Sequence, residues 1–235
     1  MEPIIEVKDV TKIYKVGNEK ILALDNISLT INKGEFCCLL GTSGSGKSTL
    51  LNVMAGIEKL TSGEIIIRGR KINKMSEREL SIFRQKYLGF IFQSYNLISA
   101  LTAFENVELP LIFKEIDSKK RKKLVKEIID AVGISGRAKH KPSQMSGGQQ
   151  QRVGIARAFV GTPEIIFADE PTGNLDSKTT MEIMELIKNI SKKYNQTIVM
   201  VTHDARLAEF ADKIISIHDG HIANIESKRE TTNII

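Results

Sequence analysis

Hydrophobic and polar positions in this chain follow two rhythms. Residues 4–10 and 21–31 carry apolar side chains as strands do, and the pair Gly17-Asn18 between them is a turn signal. The stretch Gly63-Glu64-Ile65-Ile66-Ile67-Arg68-Gly69 reads as a short strand bounded by glycines. These three segments predict an antiparallel sheet. Residues 36–40, 89–92, 165–168 and 198–201 are instead too continuously apolar for a sheet with one wet face. Helical stretches separate them, so they predict a parallel sheet buried on both sides. Ser76-Glu77-Arg78-Glu79 and Thr102-Ala103-Phe104-Glu105 have the spacing of a capping box and each predicts a helix start. From 95 to 160 no strand pattern interrupts the helical ones. The expected fold class is therefore α/β: a parallel core, an antiparallel β subdomain and an inserted α-helical subdomain. The polar end over 227–233 is expected to fray.

Onto these elements fall five motifs. Gly41-Thr42-Ser43-Gly44-Ser45-Gly46-Lys47-Ser48-Thr49 follows the apolar run 36–40 and precedes the helix-like 48–55. It matches G-x-x-x-x-G-K-[ST], where glycines let backbone N–H groups close around phosphate oxygens and the helix N-terminus favours the anion. Lys47 supplies a point charge there and Ser48 a hydroxyl for Mg²⁺. Gln93 ends a second apolar run, where an amide can bridge Mg²⁺ or an attacking water; an ordinary surface amide has the same look. Ser146-Gly147-Gly148-Gln149 opens a helical segment, although a Ser-Gly-Gly sequence alone is equally a flexible loop. The run from 165 to 170 ends in Asp169 and Glu170. Alternation along a strand cannot aim both carboxylates alike, so Asp169 can face a metal shell and Glu170 a γ-phosphate, although most acidic pairs after a strand are a helix N-cap or a strand-end charge. His203 follows the apolar run 198–201 and Thr202, where an imidazole can donate to a phosphate, although a lone histidine is usually structural or solvent-facing.

In this order and spacing the chain resembles the nucleotide-binding domain of ATP-binding cassette (ABC) transporters, members of the P-loop NTPases, over nearly its whole length. Asp169-Glu170-Pro171-Thr172 followed by Asn174-Leu175-Asp176-Ser177 extends the match. The resemblance implies one ABC ATPase domain over 1–235, with a RecA-like core and antiparallel subdomain at 1–94 and 161–235 and a helical, signature-containing subdomain at 95–160. It implies that Glu170 polarises the attacking water, with His203, Gln93 and Lys47 beside it, and that Ser48, Gln93 and Asp169 hold Mg²⁺. Ser146, Gly147, Gly148 and Gln149 would meet the ATP bound by a second copy, making a head-to-tail homodimer when ATP binds, and Asp176 would cross the same interface or cap its helix. Tyr14 stands where the family stacks an aromatic on adenine, with strand packing as its competing role. Met145 replaces a usual leucine at similar volume.

Composition narrows the picture further. The chain has 235 residues, of which 41% are hydrophobic, enough for one sizeable core. No apolar run approaches the ~18 residues that span a bilayer, and Met1-Glu2-Pro3 begins no signal peptide, so a soluble cytoplasmic protein is expected. Its two cysteines, Cys37 and Cys38, are adjacent in a buried strand and read as core residues. The net charge of +6 suits the anionic inner face of a membrane as well as nucleic acid. The run Lys119-Lys120-Arg121-Lys122-Lys123 has no interleaved aromatics, so no nucleic-acid partner is expected.

Residues 102–111 and 173–177 are similar to the lipoprotein-release and macrolide-export type, including antimicrobial-peptide exporters, which implies a separately encoded membrane permease; its contact is expected near 94–102, the segment that follows Gln93 and can move with nucleotide state. Cell-division mechanotransmission ATPases and polar amino-acid importers share the core motifs. Soluble ABC ATPases of DNA repair or translation form an alternative of another class, usually marked by coiled coils, zinc modules or a second cassette.

Overall fold

The computed structural model describes residues 2–228. In chain order the described residues form β1 (Pro3–Val16), β2 (Glu19–Asn32), β3 (Phe36–Leu40), α1 (Lys47–Met54), β4 (Ser62–Ile67), β5 (Arg70–Lys71), α2 (Glu77–Tyr87), β6 (Leu88–Phe92), α3 (Ala103–Phe113), α4 (Ser118–Ala131), α5 (Gly147–Phe159), β7 (Ile165–Asp169), α6 (Ser177–Lys193), β8 (Thr197–Thr202), α7 (Ala205–Ala208), β9 (Lys213–His218) and β10 (His221–Ser227). They cluster into two compact units, one of Met1–Arg84 with Thr197–Ile235 and the other of Gln85–Gln196.

In the first unit an antiparallel sheet of order β2-β1-β4-β5 carries the hairpin announced by Gly17-Asn18. β1 and β2 are longer than the apolar pattern suggested, because cross-strand pairing continues through the polar positions to Val16↔Glu19. The same unit holds β3 between β8 and β9, parallel to both. Cys37, Cys38 and Leu39 have no exposed surface, as a strand with neighbours on both edges and cover on both faces requires. Both cysteines are free. Burial pushes the Cys38 thiol up to about 12 and the Cys37 thiol up as well, so neither is reactive at neutral pH. Ser76 and Glu79 make the expected reciprocal cap at the start of α2.

β9 and β10 were not anticipated. The signal was Asp219-Gly220, whose φ values of 45° and 79° suit the two-residue turn of an antiparallel hairpin. β10 is exposed along nearly its whole length, so its pattern lacks the apolar alternation that marks half-buried strands. Fraying was expected over 227–233, but Ser227 pairs with Lys213 as the last residue of β10 and Lys228 N–H donates to the Asp212 carbonyl at 2.8 Å; 229–233 lie outside the described residues.

In the second unit β6 and β7 pair in parallel. A Cβ on Gly89 would lie 2.6 Å from the Ala158 carbonyl oxygen, so glycine lets the α5 backbone settle directly on β6. Residues 95–160 form helices and turns with no strand. α3 starts at Thr102 with a complete capping box, and α4 buries Val125, Ile128 and Ile129 while Lys119, Lys120, Lys122 and Lys123 face solvent. The basic run is thus the wet face of an amphipathic helix.

Candidate functional site

The phosphate loop occupies the connection from β3 to α1. Its glycines do different work. Gly46 caps α1 at φ 99°, and a Cβ there would stand 2.5 Å from the Ala23 carbonyl oxygen. Gly44 has φ 79° with open space around it, and a Cβ on Gly41 would strike the Ile217 carbonyl oxygen at 2.3 Å. The loop therefore lies against the backbones of β2 and β9. The unexpected β9–β10 turn braces it as well, since Gly220 N–H donates to the Ser45 carbonyl at 3.0 Å. No side chain caps α1, whereas Thr102, Asp117, Ser146 and Asp176 cap α3 to α6. The positive end of the α1 dipole faces this loop and favours an anion there. Lys47 is buried and its Nζ donates to the Thr42 carbonyl at 2.5 Å, while Thr42, Ser43, Gly44 and Ser48 are exposed.

Sheet register brings His203 to this loop. β3 and β8 pair with Leu40 opposite Thr202, so Gly41 and His203 leave adjacent parallel strands at one level. His203 is exposed, and Asp204 behind it caps α7 and forks onto Arg206 at 2.7 Å. Tyr14 lies on β1 of the same unit with its hydroxyl hydrogen-bonded to Glu58.

The second unit repeats the device. Phe92 of β6 pairs with Asp169 of β7, so Gln93 and Glu170 also emerge side by side. Glu170 is held at φ 42°, a left-handed conformation that costs a non-glycine residue roughly 1–2 kcal/mol and turns its side chain out of the strand alternation. A Cβ on Gly173 would come within 2.6 Å of Gln93 Nε2, and Asn174 Nδ2 donates to the Gln93 carbonyl at 3.1 Å. Gly173 N–H in turn donates to the Glu170 carbonyl at 3.1 Å. Gln93, Glu170 and the 173–174 turn are one hydrogen-bonded set.

Ser146 stands exposed at the N-cap of α5 in a capping box with Gln149. A Cβ on Gly147 would meet the Tyr95 hydroxyl at 2.8 Å, so a larger residue there would have to displace the end of that ring. Asp176 caps α6, accepting from Thr179 N at 3.0 Å and Thr179 Oγ1 at 2.6 Å. Those bonds hold its carboxyl below the ordinary carboxylate range, so it is charged at neutral pH.

Two residues that the motifs did not single out as functional bind this unit's loops to α5. Gln151, fully buried, donates to the Phe92 carbonyl at 3.4 Å and to the Pro171 carbonyl. Arg157 donates to the Tyr95 carbonyl at 2.8 Å and the Asn96 carbonyl at 2.6 Å. Tyr95 and Asn96 are both left-handed, at φ 60° and 48°, so Arg157 holds a strained turn immediately after Gln93. Desolvation lowers the Arg157 pKa, yet a guanidinium stays charged at any ordinary pH. Replacing Arg157→Met is expected to lower unfolding free energy by about 2–4 kcal/mol, since two carbonyls lose charge-assisted partners. Urea denaturation checks this; unchanged stability would mean that water replaces Arg157 at little cost.

The family model of ABC transporters matches residues 24–173. The chain belongs to the ABC transporter ATP-binding domains. An uncharacterized ABC transporter ATP-binding protein of Methanocaldococcus jannaschii is 52% identical, covering 95% of this chain and all of the relative. The macrolide export ATP-binding/permease protein MacB of Chlorobaculum tepidum is 42% identical over 96% of this chain, which spans only 34% of that longer protein. Among solved structures, a dimer of the ATP-binding cassette MJ0796 in a post-hydrolysis state, bound to ADP and Pi, superposes with a TM-score of 0.89 at 47% identity, covering 96% of this chain and 99% of that one. This ABC cassette is accordingly an ATPase, with the mixed α/β fold expected from its motifs. No helix among the described residues is long and apolar enough to cross a membrane.

Proposed function

We propose that this ABC ATPase works as a head-to-tail homodimer that drives a separate membrane permease of the lipoprotein-release, macrolide- or peptide-export type. The observation that carries the catalytic reading is the paired strand register, which ends Gln93 beside Glu170 and the start of the phosphate loop beside His203. Glu170 is the general base, Gln93 orients the water, and Lys47 and His203 contact the γ-phosphate. The loop from Gly41 to Thr49 wraps the phosphates and Tyr14 carries the adenine. Ser48, Gln93 and Asp169 offer only hard oxygen donors, a set that suits Mg²⁺. When bound, Mg²⁺ neutralises charge on the β- and γ-phosphates.

Ser146, the amides of Gly147 and Gly148, and Gln149 contact the ATP of the second copy, and Asp176 lies at the same interface. ATP then favours the closed pair and hydrolysis releases it. The signature belongs to a helical subdomain at 95–160, set into a core of 1–94 and 161–235. The permease contact is the irregular segment 94–102. Two pins support that choice: Arg157 at 95–96, and buried Asn106, which accepts from Ile98 N at 2.8 Å and donates to the Ile98, Leu101 and Thr102 carbonyls. Between them Ile98 stays 47% exposed, an apolar handle on a rigid segment. The protein then sits on the cytoplasmic face of the cell membrane. Support for export is the likeness to MacB proteins at 41–44% identity over nearly the whole chain.

Purification of the Glu170→Gln variant with ATP from gently solubilised native membranes, followed by mass spectrometry, tests the assignment. An export permease is the expected stoichiometric partner. An amino-acid importer permease, a cell-division partner or soluble nucleic-acid factors would overturn it.

A further inference from the structure

Tyr14 is tied down at its edge and over one face. Its hydroxyl donates to Glu58 Oε2 and lies 3.5 Å from Thr49 Oγ1, while the other Glu58 oxygen accepts from Asn52 Nδ2 at 3.0 Å. Thr49 and Asn52 are three apart on α1, hence on one face of the helix that the phosphate loop opens. Lys12 Nζ stands 4.6 Å from the Tyr14 ring centroid and 3.7 Å from Glu58 Oε2, and it is itself anchored on the Lys59 carbonyl at 2.7 Å. A carboxylate thus bridges an aromatic ring on β1 to α1, and a lysine covers one face of that ring.

The protonation states suit the bridge. Burial, then the bond to Glu58, raises the Tyr14 pKa. Burial pushes the Glu58 carboxyl up, but the bonds from Tyr14 and Asn52 and the charge of Lys12 outweigh it and hold it below the ordinary range. Phenol and carboxylate therefore remain donor and acceptor across the neutral range.

We propose that Glu58 is a positioning residue of the nucleotide site: it fixes the Tyr14 ring relative to α1, with Lys12 on one face, so that a purine stacks on the other. This rests on the reading of Tyr14 as the adenine platform. A ring already held in place loses no freedom when the base arrives, and ordering a free side chain on binding weakens affinity by about two- to tenfold. Glu58 belongs to none of the phosphate motifs, and in the sequence it is one acidic residue between Ile57 and Lys59.

Calorimetric titration of the intact chain with ATP and, separately, with inorganic tripolyphosphate tests the proposal, because tripolyphosphate has no base to stack. Glu58→Ala and Tyr14→Phe are each expected to weaken ATP by about two- to tenfold and to leave tripolyphosphate unchanged. The double variant should be no weaker than Glu58→Ala alone, and Glu58→Gln, which still accepts a hydrogen bond, should retain most of the affinity. Equal loss of ATP and tripolyphosphate would assign Glu58 to supporting α1 and overturn the proposal, as would losses that multiply in the double variant. Tyr14→Ala separates the two readings. Undiminished ATP affinity there removes the stacking role itself, whereas a loss there with Glu58→Ala unaffected retires only the role of Glu58.

Discussion

Glu170→Gln is expected to keep ATP bound while its hydrolysis slows by on the order of 10²-fold or more. The amide preserves the size of the side chain, and the backbone strain at φ 42° is set by the turn through Gly173 rather than by the charge. Only the basic oxygen is lost. With hydrolysis blocked and binding intact, the ATP-bound head-to-tail dimer should accumulate. Single-turnover phosphate release, equilibrium ATP binding and size-exclusion chromatography with and without ATP measure the three consequences. Retained turnover would take Glu170 out of the general-base role. Slow turnover without ATP-dependent dimers would leave the chemistry standing and remove the proposed dimer.

The second large effect concerns the phosphate loop. Gly46→Ala is expected to destabilise the chain by about 2–4 kcal/mol and to abolish measurable ATP binding. The new methyl group meets two independent obstacles, a φ of 99° and the Ala23 carbonyl oxygen 2.5 Å away, and backbone on β2 cannot yield as a side chain end would. Gly44→Ala provides the contrast. It meets only the conformational penalty at φ 79°, with nothing within 4 Å, so about 1–2 kcal/mol is expected. Thermal unfolding and fluorescent ATP-analogue binding on both variants check the pair. Equal, small effects would mean that the loop does not rest on β2 as described.

Much of this protein could be read from its sequence, for reasons of local physics. The phosphate-loop pattern is contiguous, and its chemistry depends on backbone N–H groups that only glycine-rich turns expose. Strands β3, β6, β7 and β8 announced themselves because burial on both faces demands unbroken apolar runs, and α2 and α3 because a capping box lies within four residues of sequence. Candidate residues at strand ends, Gln93, Glu170 and His203, followed from the same runs.

Tertiary structure alone decided the remainder, since those features join residues far apart in the chain. Register set Gln93 level with Glu170 and Gly41 level with His203, and no local pattern specifies which residues of two strands face each other. The β9–β10 hairpin that props the phosphate loop escaped the apolar pattern because β10 is exposed along nearly its whole length. Arg157 and Gln151 belong to no motif, and only the packed chain brings them to the carbonyls of Phe92, Tyr95, Asn96 and Pro171. The Tyr14–Glu58 bond spans 44 positions. Sequence determined which chemistry the chain carries, because that chemistry resides in short motifs. Folding decided what holds each group in place, because those supports are single polar side chains whose partners only the packed chain brings near.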